Sequence, residues 1–118
     1  MKVKIRGVVD GKSLNDEMLV IDIIEDTDMG QYLVMDSTYQ SDRTVSNKFR
    51  HIYWFPTQKV KKKDVVVLYT KHGNDSIAKK EDFNIYFFYW NVGNCVWNND
   101  GDCTVLLHCD ELIHKSIK

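Results

Sequence analysis

Apolar residues recur along this chain in short runs of alternation, and no stretch keeps the three-to-four spacing of an amphipathic helix. Val3, Ile5, Val8 and Val9 mark a first strand over residues 3–9, with Gly7 at a bulge position. Residues 18–25 are nearly continuous in apolar, β-branched character, as expected of a central buried strand. A short strand over 31–35 follows the turn at Asp26, Thr27, Asp28, Met29 and Gly30. Residues 36–47 are predominantly polar and read as a surface loop. The run 49–55 is aromatic and stops at Pro56, which lacks a ladder donor. Residues 64–70 form the clearest strand pattern, and 83–90 form a strand rich in aromatics. The one helical candidate, 76–82, is too short to stand alone. Leu112, Ile113 and Ile117 end the chain as a short strand or a frayed tail.

Two stretches organise this pattern. In residues 96–107, Asn99, Asp100 and Gly101 supply turn chemistry between two apolar runs, because Gly and Asn tolerate positive φ. That predicts a hairpin, with Gly101 at positive φ and Trp97 anchoring the core from one end. In the aromatic run, Phe83, Ile85, Phe87 and Tyr89 share one face, while Tyr86, Phe88 and Trp90 share the other. A sandwich strand has one core-facing side, so one of these faces is surplus. The surplus is covered by the chain's own loops (36–47 and 71–82) or by another molecule. The second option makes Tyr86, Phe88 and Trp90 the candidate partner-binding residues. Together the runs predict an all-β, antiparallel sandwich of seven to eight strands.

Composition narrows the function classes. The 118 residues fit a single domain, spanning 1–118, that can bury its own core. A net charge of −1 disfavours a nucleic-acid binder that relies on bulk charge. Lys59, Lys61, Lys62 and Lys63 surround Val60 and are a local candidate for phosphate or acidic-partner contact. Cys95, Cys103 and Cys109 are odd in number, and residues 1–6 lack an apolar leader core, so reduced thiols in the cytoplasm are the expectation. A secreted chain trimmed of its leader has the same sequence. No apolar run reaches membrane-spanning length.

Three matches carry a family resemblance. Glu17 precedes the alternating Met18, Leu19, Val20, Ile21, Asp22 and Ile23. Ile52, Tyr53, Trp54, Phe55 and Pro56 lead through Val60 to Lys63, Asp64, Val65, Val66 and Val67. Trp97, Asn98, Asn99, Asp100, Gly101 and Asp102 precede Leu106. Over about residues 17–107 the chain resembles a lamin tail domain, with Trp97, Gly101 and Asp102 as its fold signature. It departs where Gln31, Tyr32, Leu33, Val34 and Met35 stand in place of the family's Asp-Leu-x-Gly-Trp-like segment, and residues 76–94 read as an insertion. The resemblance implies an immunoglobulin-like fold and a non-enzymatic interaction role.

The remaining chemistry is sparse. Cys95, Cys103, His108, Cys109 and His114 lack zinc-ligand spacing. Asp26-x-Asp28 and Asn98-x-Asp100-x-Asp102 offer clustered oxygens but lack the glycine offset and distal glutamate of a calcium loop. No cofactor, metal or catalytic set is expected. The functional expectation is a binding or assembly module with a protein partner or a second copy. Nucleic-acid binding through the lysine turn and, behind it, a metal-dependent hydrolase are the alternatives. A phage or mobile-element structural protein of similar fold is a further one.

Overall fold

Alternation does set the strands, but their pairing is less local than a meander. The computed structural model describes residues 1–9, 14–38, 50–97 and 102–117. Among these lie ten strands: β1 (Val3–Val9), β2 (Met18–Ile23), β3 (Thr27–Asp28), β4 (Tyr32–Thr38), β5 (Ile52–Trp54), β6 (Lys59–Val60), β7 (Val65–Tyr69), β8 (Ser76–Lys79), β9 (Asn84–Tyr89) and β10 (Asp102–His108). One five-stranded sheet runs β1-β2-β7-β9-β8, a three-stranded sheet runs β10-β4-β5, and β3 pairs with β6. The fold is an all-β sandwich.

The core lies between the two larger sheets. Leu19, Ile21 and Ile23 of β2, Val66 and Leu68 of β7, and Tyr86 and Phe88 of β9 face Tyr32 and Val34 of β4 and Phe55 just after β5. Met29 and Val60 close one end of this core, and Val96 and Trp97 the other. The register slips between Ile5 and Gly7, so the expected bulge is present in β1.

The sheets are not all antiparallel, because β7 and β9 run parallel. The chain leaves β7, passes the end of β9, descends as the edge strand β8 and returns up β9. Residues 76–79, read from sequence as loop or helix, therefore form that edge strand. The polar residues Asp36, Ser37 and Thr38 continue β4 rather than opening a loop. Their strand is completed by pairing with β10 across Asp102↔Thr38, Cys103↔Ser37 and Thr104↔Asp36.

The expected hairpin around Trp97 is not formed by two strands. Val96 and Trp97 sit in a bend, and β10 pairs with β4. The donors a ladder would use are taken: Glu17 accepts from Val96 N at 2.6 Å and Trp97 N at 3.0 Å. The turn residues, including Gly101, lie outside the described residues. Trp97 itself is buried, as expected, at 8% exposure.

Candidate functional site

The aromatic strand is the first candidate, and its two faces have exchanged roles. Tyr86 and Phe88 point into the core, where Phe88 meets the edge of Phe55. Trp90 is half-buried at the core's end, against Tyr53 and Trp97. The face assigned to a partner is thus the core face, because β9 is an interior strand whose even-numbered residues face the other sheet. The surplus aromatics are Phe87 and Tyr89, both half-buried, which stack on Tyr69 of the adjacent strand at 6.3 and 5.2 Å. The 71–75 connection partly covers this row. Lys71 Nζ lies 4.5 Å from the Tyr69 ring centroid, a cation–π contact, and Asp75 accepts from Tyr89 N. Gly73 passes so close to the Tyr89 ring that a Cβ there would come within 2.3 Å of it.

The lysine turn presents Lys59, Lys61, Lys62 and Lys63 to solvent around a buried Val60. It does not form a single-sign patch. β6 pairs with β3, which sets Asp26 and Asp28 beside the lysines. Those carboxylates act on backbone. Asp26 accepts from Lys62 N at 2.9 Å, and Asp28 accepts from Gly30 N at 2.8 Å and Gln58 N at 3.0 Å. Asp64 likewise accepts from Lys61 N and Asn84 N, tying the turn to β9.

Polar groups concentrate at the Trp97 end of the sandwich. Asp36 is 1% exposed. Its Oδ1 accepts from His51 N at 2.8 Å and lies 2.9 Å from His51 Nδ1, and its Oδ2 pairs with Arg50 at 3.0 Å. Asp102 and then Asp36 hold the Arg50 guanidinium charged, raising its pKa. This set ties the first residue of β10 to the segment entering β5, and both oxygens of the Asp36 carboxylate face protein donors. Asp102, expected as part of a hairpin signature, serves instead as this anchor. Burial pushes the Tyr53 phenol up, with the Asp75 charge adding to it. Burial also pushes the Cys103 thiol up. None of the three cysteines forms a disulfide, and no group of three or more His, Cys, Asp or Glu among the described residues could hold a metal ion.

An accessible apolar surface lies on the outside of the three-stranded sheet. The register sets Trp54, Leu33 and Leu107 in one row across β5, β4 and β10, and Ile52, Met35 and Val105 in the next. Ile52 is 57% exposed, Trp54 55% and Leu107 43%. Met35 is buried at 2% exposure, so the exposed patch is Ile52, Trp54 and Leu107 with the part-exposed Leu33 and Val105, on the order of 400 Å² of apolar area and in the range of the largest patch on a monomer. Trp54 is held in place, since its Nε1 donates to Gly30 O at 2.7 Å. A cleft of about 280 Å³ lined by Gly30, Trp54, Phe55, Pro56 and Thr57 adjoins it.

β5 is also an edge. Phe55 N donates to Tyr32 O, and His51 O accepts from Asp36 N. Antiparallel alternation therefore turns the N–H and C=O groups of Ile52 and Trp54 away from β4, toward the free side.

The sequence signal for this surface was present but misassigned. Residues 52–55 are apolar on both parities, the same pattern that singled out residues 83–90. No protein-family model matches the chain, and no curated protein matches it in sequence.

Proposed function

We infer that this domain is a non-catalytic assembly module, immunoglobulin-like in kind, that binds a protein through the outer face of its β10-β4-β5 sheet. The observation that carries the reading is Trp54, more than half exposed yet fixed by its hydrogen bond to Gly30 and flanked by Ile52 and Leu107. An outer sandwich face is ordinarily polar. An immobilised indole in an apolar patch loses little side-chain entropy on binding and suits an interface anchor. The resemblance of residues 17–107 to lamin tail domains supports an interaction role. The pairing of Asp36 with His51 and Arg50 supports reading that polar centre as a structural brace.

The test compares two lysine substitutions on opposite sheets. Trp54→Lys alters the proposed face, and Ile77→Lys alters an exposed position on β8. The reading expects wild type and Ile77→Lys to retain the same saturable protein partner, and Trp54→Lys to lose it. Equal binding by all three proteins would overturn it.

A further inference from the structure

The five-stranded sheet is apolar on both of its faces. Its inward places are filled by core residues such as Leu19, Ile21, Val66, Leu68, Tyr86 and Phe88. The outward places alternate with them and are apolar as well. The register sets Val20, Val67 and Phe87 in one row across β2, β7 and β9, and Val65, Ile85 and Ala78 in the next across β7, β9 and β8. Val67, at the centre, is 7% exposed and the other five are half-buried, because side chains along a row shield one another. Among the described residues no strand of another sheet packs on this side. The 71–75 connection covers only one end, where Lys71 lies over Tyr69 and Gly73 against Tyr89. An outer sandwich face is ordinarily polar, so this surface is surplus to the fold.

We propose that two copies of this chain pack face to face through the outer surface of the five-stranded sheet, about a two-fold axis that runs along β7. The proposal goes beyond the reading of the Trp54 face, which lies on the opposite side of the sandwich and stays open to a partner in such a dimer.

The distribution of charge and size makes the face complementary to itself. β7 is the central strand of β1-β2-β7-β9-β8. A half-turn about its direction lays β7 on itself, β1 over β8 and β2 over β9. The charged residues of the rows, Lys4, Arg6 and Asp22, all stand on β1 and β2. Arg6 Nε donates to both oxygens of Asp22, at 3.0 and 3.1 Å, so that pair is neutral. The opposite edge, β8, presents the short uncharged Ser76 and Ala78. Long charged side chains of one copy therefore overlie short neutral ones of the other. The aliphatic Val20 faces the aromatic Phe87. The two Lys4 residues stand at opposite edges, about 20 Å apart, beyond a Debye length at physiological salt. An axis across the strands would instead set β1 on β1 and crowd like charges.

The area is sufficient. Five strands at about 4.8 Å and about six residues at about 3.3 Å give roughly 480 Å² per copy. Two copies withdraw about 1,000 Å², which a specific interface needs, before the overlap of Lys4 and Arg6 with β8 is added.

Sedimentation equilibrium of the full chain over a range of concentrations tests the proposal, with circular dichroism confirming that each variant is folded. Wild type is expected to dimerise. Val20→Lys and Phe87→Glu are each expected to weaken the dimer by more than about tenfold. Mixed together they should form a heterodimer tighter than either variant with itself, because β2 faces β9. Ala78 lies on the edge strand, so its variants keep the test intact if a substitution on β2 or β9 unfolds the chain. Ala78→Lys sets a positive charge opposite Lys4 and Arg6 and should weaken the dimer by more than about tenfold, whereas Ala78→Glu should hold it. Trp54→Lys and Ile77→Lys lie off this face and should leave it unchanged. A wild-type chain that stays monomeric would overturn the proposal, as would a dimer indifferent to the Val20, Phe87 and Ala78 variants. A dimer lost with Trp54→Lys but kept by those variants would overturn it and put the contact between copies on the Trp54 face.

Discussion

Substituting Glu17 probes how this chain builds the Trp97 end of its core. The residue is fully buried, and its carboxylate accepts Val96 N at 2.6 Å and Trp97 N at 3.0 Å. Hydrogen bonds to a charged group contribute about 1.5–3 kcal/mol each, and a buried donor left without a partner costs about 1–3 kcal/mol. Glu17→Ala removes both acceptors and strands both donors. The two effects overlap, so the expected loss is about 3–5 kcal/mol, a large share of a typical domain's ~5–15 kcal/mol. Glu17→Gln keeps the volume and one acceptor oxygen but turns an amide N–H₂ toward the other donor, for a loss of about 1–2 kcal/mol. In urea unfolding the Ala variant should move the midpoint down by about 2–4 M with an unchanged slope. A double-mutant cycle with Trp97→Ala should show coupling of about 1–3 kcal/mol, because Glu17 positions the segment that Trp97 depends on. A Glu17→Ala midpoint within about 0.5 M of wild type would refute the reasoning.

Trp97→Ala should cost about 3–5 kcal/mol in the same assay, through lost burial and a residual cavity. Because Trp97 Nε1 has no hydrogen-bond partner among the described residues, Trp97→Phe should cost less than half as much, and an equal cost would contradict that. Gly73→Ala should push the Tyr89 ring off Tyr69 and lower stability by about 1–3 kcal/mol, with near-ultraviolet circular dichroism reporting the lost stack. Burial raises the Cys103 thiol, so at neutral pH it should alkylate more slowly than Cys109 in the folded protein. The same shift gives a sign for stability: with the folded pKa above the unfolded one, the Cys103 contribution is complete below the unfolded thiol pKa and is lost as pH rises through the folded one. Urea midpoints measured with rising alkaline pH should therefore fall less for Cys103→Ala than for wild type.

The strands were legible where alternation or β-branching was strong, as in β2, β7 and β9. The partners of those strands were not. The parallel pairing of β7 with β9 depends on β8 returning along the far side of β9, and the polar run 76–82 carries no periodic signal for that path. Asp36 reads as a loop residue because charge is rarely buried. It is strand here because Arg50 and His51, more than a dozen residues away, satisfy its oxygens. Glu17 reads as the polar flank of a strand, yet its burial decides where the chain bends at Val96. The burial of Trp97 followed directly from its size. The assignment of the aromatic surplus to Tyr86 and Phe88 required knowing which parity of β9 faces the other sheet, and that depends on register rather than composition. The exposure of Ile52 and Trp54 was hidden for the converse reason: an apolar run on both parities resembles a core strand until its sheet is known to have only three strands.

The three tryptophans separate by environment, with Trp54 exposed, Trp90 half-buried and Trp97 buried. Fluorotryptophan NMR, with each line assigned by substitution, therefore reports directly on which part of the surface makes contact. As the partner is added, the line of Trp54 should shift or broaden while those of Trp90 and Trp97 hold still. A Trp54 line unchanged under conditions where binding is complete would contradict the account.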